Sequence, residues 1–169
     1  MESIDIANIK VPKTITYNDS SLICNGAGIR KKFMIKIYVG ALYLKEKQTD
    51  AEKIINLAEP MAMRLHILYD KLSSKQMIGA IEEGFQKSVG SGIEKFKKET
   101  QLLYEALAQI KKNDYFDMIY IPEDGIDVLK NDTSMGKIDN NYEFKKALFG
   151  IWLGQNPVDA TLKNKLLGV

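Results

Sequence analysis

The feature that most constrains the fold is a run of alternating side chains in the first third of the chain. From Phe33 to Tyr43 the odd positions are almost uniformly apolar, whereas the even positions are mixed. Because side chains on a β-strand point alternately to its two faces, this run predicts a strand over residues 33–45 with its odd face in the core. On the mixed face Tyr38 has Gly40 as a neighbour, and a strand glycine leaves room for a ligand or another backbone.

The remaining patterns predict strands and helices in alternating blocks. Short strands are predicted at residues 3–9 and 13–24, and further strands at residues 61–69, 115–121, 125–130 and 134–138. Helices are predicted near residues 50–57, between residues 73 and 112 with a break at Gly90-Ser91-Gly92, from Asn141 to Trp152, and from Asn156-Pro157 to Gly168. The predicted fold class is α+β, as a single domain over residues 1–169. A twisted antiparallel sheet should carry helices on one face, with the other face partly open or covered by the N-terminal strands.

Composition excludes several classes of function. A net charge of +2 is too small to indicate binding to nucleic acid or to an anionic membrane. The single cysteine, Cys24, and the single histidine, His66, exclude an intrachain disulfide and a clustered zinc site, and we expect no metal and no cofactor. No stretch approaches the length of a transmembrane segment, and the first residues lack the pattern of a signal peptide.

Few polar residues are candidates for chemistry. Arg30 is the strongest, because a guanidinium can hold a carboxylate or enolate through two parallel hydrogen bonds. The alternative for Arg30 is a solvated side chain at a strand end or a structural ion pair. His66 shares a strand face with Arg64 and has no acidic partner at motif spacing, so we expect a structural role for it. Gly26-Ala27-Gly28 precedes a strand, which argues against a phosphate-binding helix N-terminus.

Several segments in a fixed order together resemble a known family. They are residues 25–44 with the Gly26-Ala27-Gly28-Ile29-Arg30 motif, 64–68, 83–85, 120–122, 144–154 and 166–168. In this order they resemble the chalcone isomerase family, and in particular its bacterial chalcone-isomerase-like branch. The resemblance covers most of the chain and implies the chalcone-isomerase-like open-faced fold.

The resemblance also implies a site and a function. It places Arg30 in a ligand cleft, and it places Tyr38 where fatty-acid-binding members carry a tyrosine that pairs with the arginine to hold a carboxylate. The leading interpretation is therefore a non-catalytic protein that binds a small amphipathic carboxylate. The alternatives are an isomerase acting on a chalcone-like or other enone, and an interaction or assembly module with a vestigial cleft. The resemblance further suggests a periplasmic or otherwise exported protein, with a cytoplasmic location as the alternative.

The shared site sets a geometric condition. In a straight strand, Arg30 and Tyr38 would lie about 26 Å apart at roughly 3.3 Å per residue. They can contact one ligand only if the chain reverses between Arg30 and Ile35.

Overall fold

The computed structural model describes residues 1–169 and contains a seven-stranded antiparallel sheet. Its strands follow chain order, so that each neighbouring pair is a hairpin or a longer antiparallel connection. The strands of this sheet are β3 (Thr14–Tyr17), β4 (Ser20–Lys32), β5 (Ile35–Leu44), β6 (Met61–Ile67), β7 (Tyr115–Ile121), β8 (Gly125–Lys130) and β9 (Thr133–Asp139). A separate two-stranded hairpin, β1 (Ser3–Ile6) and β2 (Ile9–Pro12), precedes it. The prediction of an α+β fold is confirmed.

Five helices complete the fold: α1 (Ala51–Asn56), α2 (Ser74–Val89), α3 (Lys97–Ala106), α4 (Tyr142–Leu153) and α5 (Ala160–Leu167). Ser73 and Gln76 form a reciprocal capping box at the start of α2. Asn141 caps α4 and Gly168 ends α5 in the left-handed conformation. None of the helices combines the length and the apolar character needed to cross a membrane.

The sheet has a core on each face, and the larger core contradicts one sequence expectation. The helices cover the face that carries Tyr38 and Leu42, which are even positions of β5. The odd positions Val39, Ala41 and Tyr43 lie on the other face, in a smaller core to which Val11 of the β1–β2 hairpin contributes. The odd face is thus buried from Val39 to Tyr43, as predicted, but the expectation that β5 has only one core face is wrong, because the even face is buried against the helices.

Several element boundaries also differ from the sequence predictions. Strand β4 extends through the Gly-Ala-Gly segment to Lys32, and residues 33 and 34 form a turn before β5. The last helix begins at Ala160 rather than at Asn156-Pro157, and Asp159 caps it, since the Asp159 side chain accepts the Leu162 N–H. A 3₁₀ turn over Gly90–Phe96 separates α2 from α3, and the two helices pack mainly on different partners. Helix α2 lies against α4, whereas α3 lies over β8 and β9.

Candidate functional site

The hairpin between β4 and β5 places Arg30 and Tyr38 opposite each other. The chain reverses at Phe33 and Met34, and Arg30 pairs with Tyr38 in the antiparallel register. A register shift between Arg30 and Lys31 makes this possible, because the register of the turn would otherwise place Ile37 opposite Arg30. The geometric condition set by the sequence is thus met. Directly opposed residues point to the same face of a sheet with Cβ atoms about 4.5–5.5 Å apart.

Arg30 and Tyr38 line one cleft, which lies between the β4–β5 hairpin and helix α2. The cleft has a volume of about 450 Å³ and most of its lining side chains are hydrophobic. Its apolar walls include Ile35, Ile37, Leu72, Met77, Ala80, Ile81, Ile151 and Val158. Its charged lining residues are Arg30, Lys32 and Lys87, against Glu83 alone. This excess of positive charge in an apolar cleft suits an amphipathic anion.

Tyr38 is held in place by the single tryptophan of the chain. The indole Nε1–H of Trp152 donates a hydrogen bond of 2.9 Å to the Tyr38 hydroxyl oxygen. Tyr38 is 5% exposed, and burial raises its pKa to about 12, although the hydrogen bond from Trp152 and the positive charge of Arg30 act in the opposite direction. The hydroxyl is therefore protonated near neutral pH. Because its oxygen accepts from Trp152, its own proton can be donated to a group in the cleft.

Arg30 is half-buried and already has partners inside the protein. Its Nη1 donates to the Lys31 carbonyl oxygen at 2.6 Å and lies 3.6 Å from the Asp159 carboxylate. Arg30 thus forms a structural ion pair with Asp159, which was the alternative role considered for it from the sequence. A guanidinium has five N–H donors, and these contacts involve only Nη1. Arg30 therefore keeps donors for a ligand, but Asp159 competes with any anion for its charge.

The space beside Tyr38 that Gly40 was expected to provide is filled by a helix. A Cβ at Gly40 would lie 3.6 Å from a Leu162 methyl of α5. Gly26 and Gly28 also face α5, and a Cβ at Gly26 would lie only 2.1 Å from the Lys165 carbonyl oxygen. The absence of side chains at Gly26 and Gly28 allows the helix to pack closely on β4, whereas a Cβ at Gly40 would make an ordinary van der Waals contact. The space is thus taken up by helix packing and is not part of the cleft.

A second polar cluster lies on the opposite face of the sheet. Arg64 makes two hydrogen bonds to the Asp117 carboxylate, at 2.7 and 2.8 Å, and its guanidinium lies 4.4 Å from the centre of the Tyr115 ring. His66 stacks on Tyr115. Burial lowers the pKa of His66, and neither Arg64 nor His66 lines the cleft. No group of three or more His, Cys, Asp or Glu side chains is arranged to hold a metal ion.

Comparison with known proteins identifies the family. The sequence profile described as chalcone isomerase-like matches residues 3–168. The chain belongs to the chalcone isomerase-like family. Among solved structures, the crystal structure of the Arabidopsis thaliana fatty-acid binding protein AtFAP1 has a similar fold, with a TM-score of 0.75. The two sequences are 18% identical, and the match covers 98% of this chain and 96% of the other. Among curated proteins, no sequence matches this chain significantly.

Two residues that contact the polar side chains of the cleft in this family member were not predicted from the sequence as part of the site: Trp152, which contacts Tyr38, and Asp159, which contacts Arg30. Trp152 is buried in the core, and its hydrogen bond to Tyr38 joins positions 114 apart in the chain, which local sequence patterns do not reveal. Asp159 was not predicted, because the sequence pattern placed the start of the last helix at Asn156-Pro157. An acidic residue three positions before the first apolar residue of α5, Leu162, is a cap signal that could have identified it.

Proposed function

We propose that the protein binds a small amphipathic carboxylate, such as a fatty acid, and does not transform it. One observation supports this most strongly. Arg30 and Tyr38 are paired across the β4–β5 hairpin, line the same apolar cleft, and each keeps at least one hydrogen-bond donor that has no partner in the protein. The volume of about 450 Å³ is within the range of small-molecule sites.

The polar groups define how such a ligand would bind. One carboxylate oxygen would accept from the Tyr38 hydroxyl, and the guanidinium of Arg30 would donate to the other. Trp152 would fix the Tyr38 hydroxyl before the ligand arrives, which reduces the entropy cost of binding. The apolar chain would lie against side chains of α2 such as Met77 and Ile81. The similarity to a fatty-acid binding protein of the same fold agrees with this chemistry.

Isomerisation of a chalcone is the second candidate, and we expect it to be negligible. Arg30 could stabilise developing enolate charge, but cyclisation also needs an oriented nucleophile and a proton acceptor. Tyr38, with a pKa of about 12, stays protonated and is a poor base near neutral pH. A spectrophotometric assay with chalcone and naringenin chalcone tests this. Turnover clearly above the spontaneous rate that disappears in Arg30→Ala would contradict the expectation.

The family resemblance suggests two further properties, which we include in the same proposal. They are membership of the bacterial branch and a periplasmic or otherwise exported location, with the cytoplasm as the alternative. Both rest on the resemblance alone. Fractionation of the source cells, followed by detection with an antibody against this chain, decides the location.

Native mass spectrometry of freshly purified protein tests whether the cleft holds a ligand. The proposal predicts a bound species with the mass of an acyl carboxylate, at a lower occupancy in Arg30→Ala. A matched control is Lys98→Ala, which removes one positive charge from an exposed site on α3, remote from the cleft lining. Wild-type protein that carries no such species, and takes up none when fatty acids are added, would refute the proposal.

A further inference from the structure

The β4–β5 hairpin ends in an apolar tip that is directed into solvent. Phe33 is 88% exposed and Met34 is 95% exposed, and the adjoining Ile35 is 40% exposed. Away from the chain ends, no other large apolar side chain is more than half exposed. Three apolar side chains in a row at one protruding turn are a local concentration that folding does not bury.

The backbone of this turn is unfavourable for the residues that occupy it. Phe33 and Met34 both have positive φ, 51° and 68°, as in the type I′ turns that favour Asn and Gly. The hairpin between β8 and β9 uses Asn131 and Asp132 for the same two positive φ values. Bulky side chains rarely adopt this conformation. The chain thus places two large apolar residues where small polar residues would fold more easily, and such strain is typical of functional positions.

Lysines surround the tip. Lys31, Lys32 and Lys36 are all exposed, and the Lys32 ammonium lies 6.0 Å from the centre of the Phe33 ring. None of the three takes part in an ion pair. The protein as a whole has a net charge of only +2, so this is a local concentration of unpaired positive charge.

We propose that the β4–β5 hairpin tip docks on an anionic lipid bilayer. Phe33, Met34 and Ile35 would enter the boundary between headgroups and acyl chains, while the three lysines contact anionic headgroups. Apolar residues surrounded by basic residues match the two layers of such a surface, and each lysine near an anionic membrane contributes about 1 kcal/mol, or roughly fivefold in affinity. An apolar protein partner would not account for the unpaired lysines.

Docking would also orient the cleft. Lys32, Phe33 and Ile35 line the cleft that contains Arg30 and Tyr38, so the cleft would open beside the bilayer surface. The relevance of this orientation to ligand uptake rests on the proposed function, whereas the proposal that the tip docks on a membrane does not. Membrane binding is therefore measured without added fatty acid, so that failure of one proposal leaves the other standing.

Co-sedimentation with vesicles tests docking. Wild-type protein should bind vesicles of phosphatidylcholine with phosphatidylglycerol, more weakly at high salt, and should bind phosphatidylcholine alone poorly. The double variant Phe33→Asn/Met34→Gly should bind about 10- to 100-fold more weakly, through loss of apolar contact. Its Tm should nevertheless rise by roughly 2–4 °C, because the turn becomes favourable. Lost binding with an unchanged or raised Tm separates docking from misfolding.

Charge variants provide the second arm. Alanine at Lys31, Lys32 and Lys36 together should weaken binding to the anionic vesicles by about 100-fold. The control is alanine at Lys95, Lys97 and Lys98, which removes the same number of positive charges near the start of α3. This triple variant should bind the anionic vesicles almost as tightly as wild type. Met135→Ala, at another exposed apolar side chain, is the matched apolar control.

Insertion of the tip can be observed directly. Met34→Cys provides an exposed thiol, whereas the native Cys24 is buried, so a polarity-sensitive fluorophore would label the tip. Its emission should shift to the blue on anionic vesicles, and a fluorophore at Met135→Cys should not shift. The proposal is wrong if wild-type protein fails to bind anionic vesicles, or if the tip variants bind as wild type does. A concentration-dependent dimer that disappears in Phe33→Asn/Met34→Gly, with no vesicle binding, would assign the tip to self-association and overturn it as well.

Discussion

Arg30 is shared between the fold and the proposed site. The Asp159 carboxylate that lies 3.6 Å from its Nη1 also caps α5, since Asp159 accepts the Leu162 N–H at 3.0 Å. An incoming carboxylate must therefore bind beside an existing negative charge. Both side chains are partly buried, so the solvent screens this repulsion less than it would on an open surface. The two roles that the sequence suggested for Arg30, a structural ion pair and a ligand contact, are therefore compatible.

Asp159→Asn should separate these two roles. Asparagine is as good a helix cap as aspartate, so the free energy of unfolding should change by less than about 1 kcal/mol. Loss of the negative charge should strengthen binding of a fatty-acid carboxylate by about two- to tenfold, since the pair is partly exposed and its gross Coulomb energy is discounted. Calorimetric titration measures the affinity and thermal unfolding provides the stability control. Weaker binding in this variant would mean that Asp159 positions Arg30 rather than competing for it.

Helix α5 packs closely on β4, and glycines permit this packing. The Cβ missing from Gly26 would overlap backbone carbonyl oxygens of Lys165 and Leu166, which cannot move as a flexible side chain could. Asn25, next to it, donates to the same Leu166 carbonyl at 2.9 Å. The Gly-Ala-Gly segment is thus a close contact between strand and helix.

Gly26→Ala should therefore destabilise the protein. Overpacking against fixed backbone costs about 1–3 kcal/mol, and α5 would have to shift away from β4. Gly79→Ala is the matched control, because no atom lies within 4 Å of its missing Cβ and alanine favours a helix interior by about 0.5–1 kcal/mol. Denaturant unfolding measures both free energies. If Gly26→Ala were as stable as wild type, the close contact with α5 would be disproved.

At the level of elements, local signals predicted most of the fold. The strands from Tyr115 to Asp139 and helix α4 follow the sequence patterns closely, because each has strong turn or capping residues at its ends. Features set by tertiary contacts were missed. The choice of main core face for β5 depends on where the helices pack, and the bond from Trp152 to Tyr38 depends on how α4 crosses the sheet. Arg30 and Tyr38 could be proposed from the family resemblance, but their pairing depends on the register shift beside them.

In the whole molecule, one sheet separates two hydrophobic cores, one on each of its faces. All five helices contribute to the core on one face, and the β1–β2 hairpin packs on the other. Lys145 is fully buried and donates to the Ile54, Ile55 and Leu57 carbonyl oxygens at the end of α1, which fixes that helix to α4. These shared contacts connect the N-terminal and C-terminal halves of the chain.

The sequence prediction of a single domain over residues 1–169 can be tested at this scale. Both cores share the strands β5 and β6, so we expect one cooperative unfolding transition. Limited proteolysis should produce no stable fragment that corresponds to half of the chain. Calorimetric unfolding compared with circular dichroism measures the cooperativity. Two separable transitions, or two protease-resistant fragments, would contradict the prediction.

The most direct test of the central claim is a calorimetric titration of wild-type protein and Arg30→Ala with a fatty acid. The fatty alcohol of the same chain length is the matched ligand, because it has the same tail without the charge. The account predicts that wild type binds the acid about tenfold or more tightly than the alcohol, since a hydrogen bond to a charged group contributes about 1.5–3 kcal/mol. Arg30→Ala should abolish that preference, Arg30→Lys should restore part of it, and Tyr38→Phe should reduce it less than Arg30→Ala. No binding of the acid by wild-type protein, or an unchanged preference in Arg30→Ala, would contradict the claim.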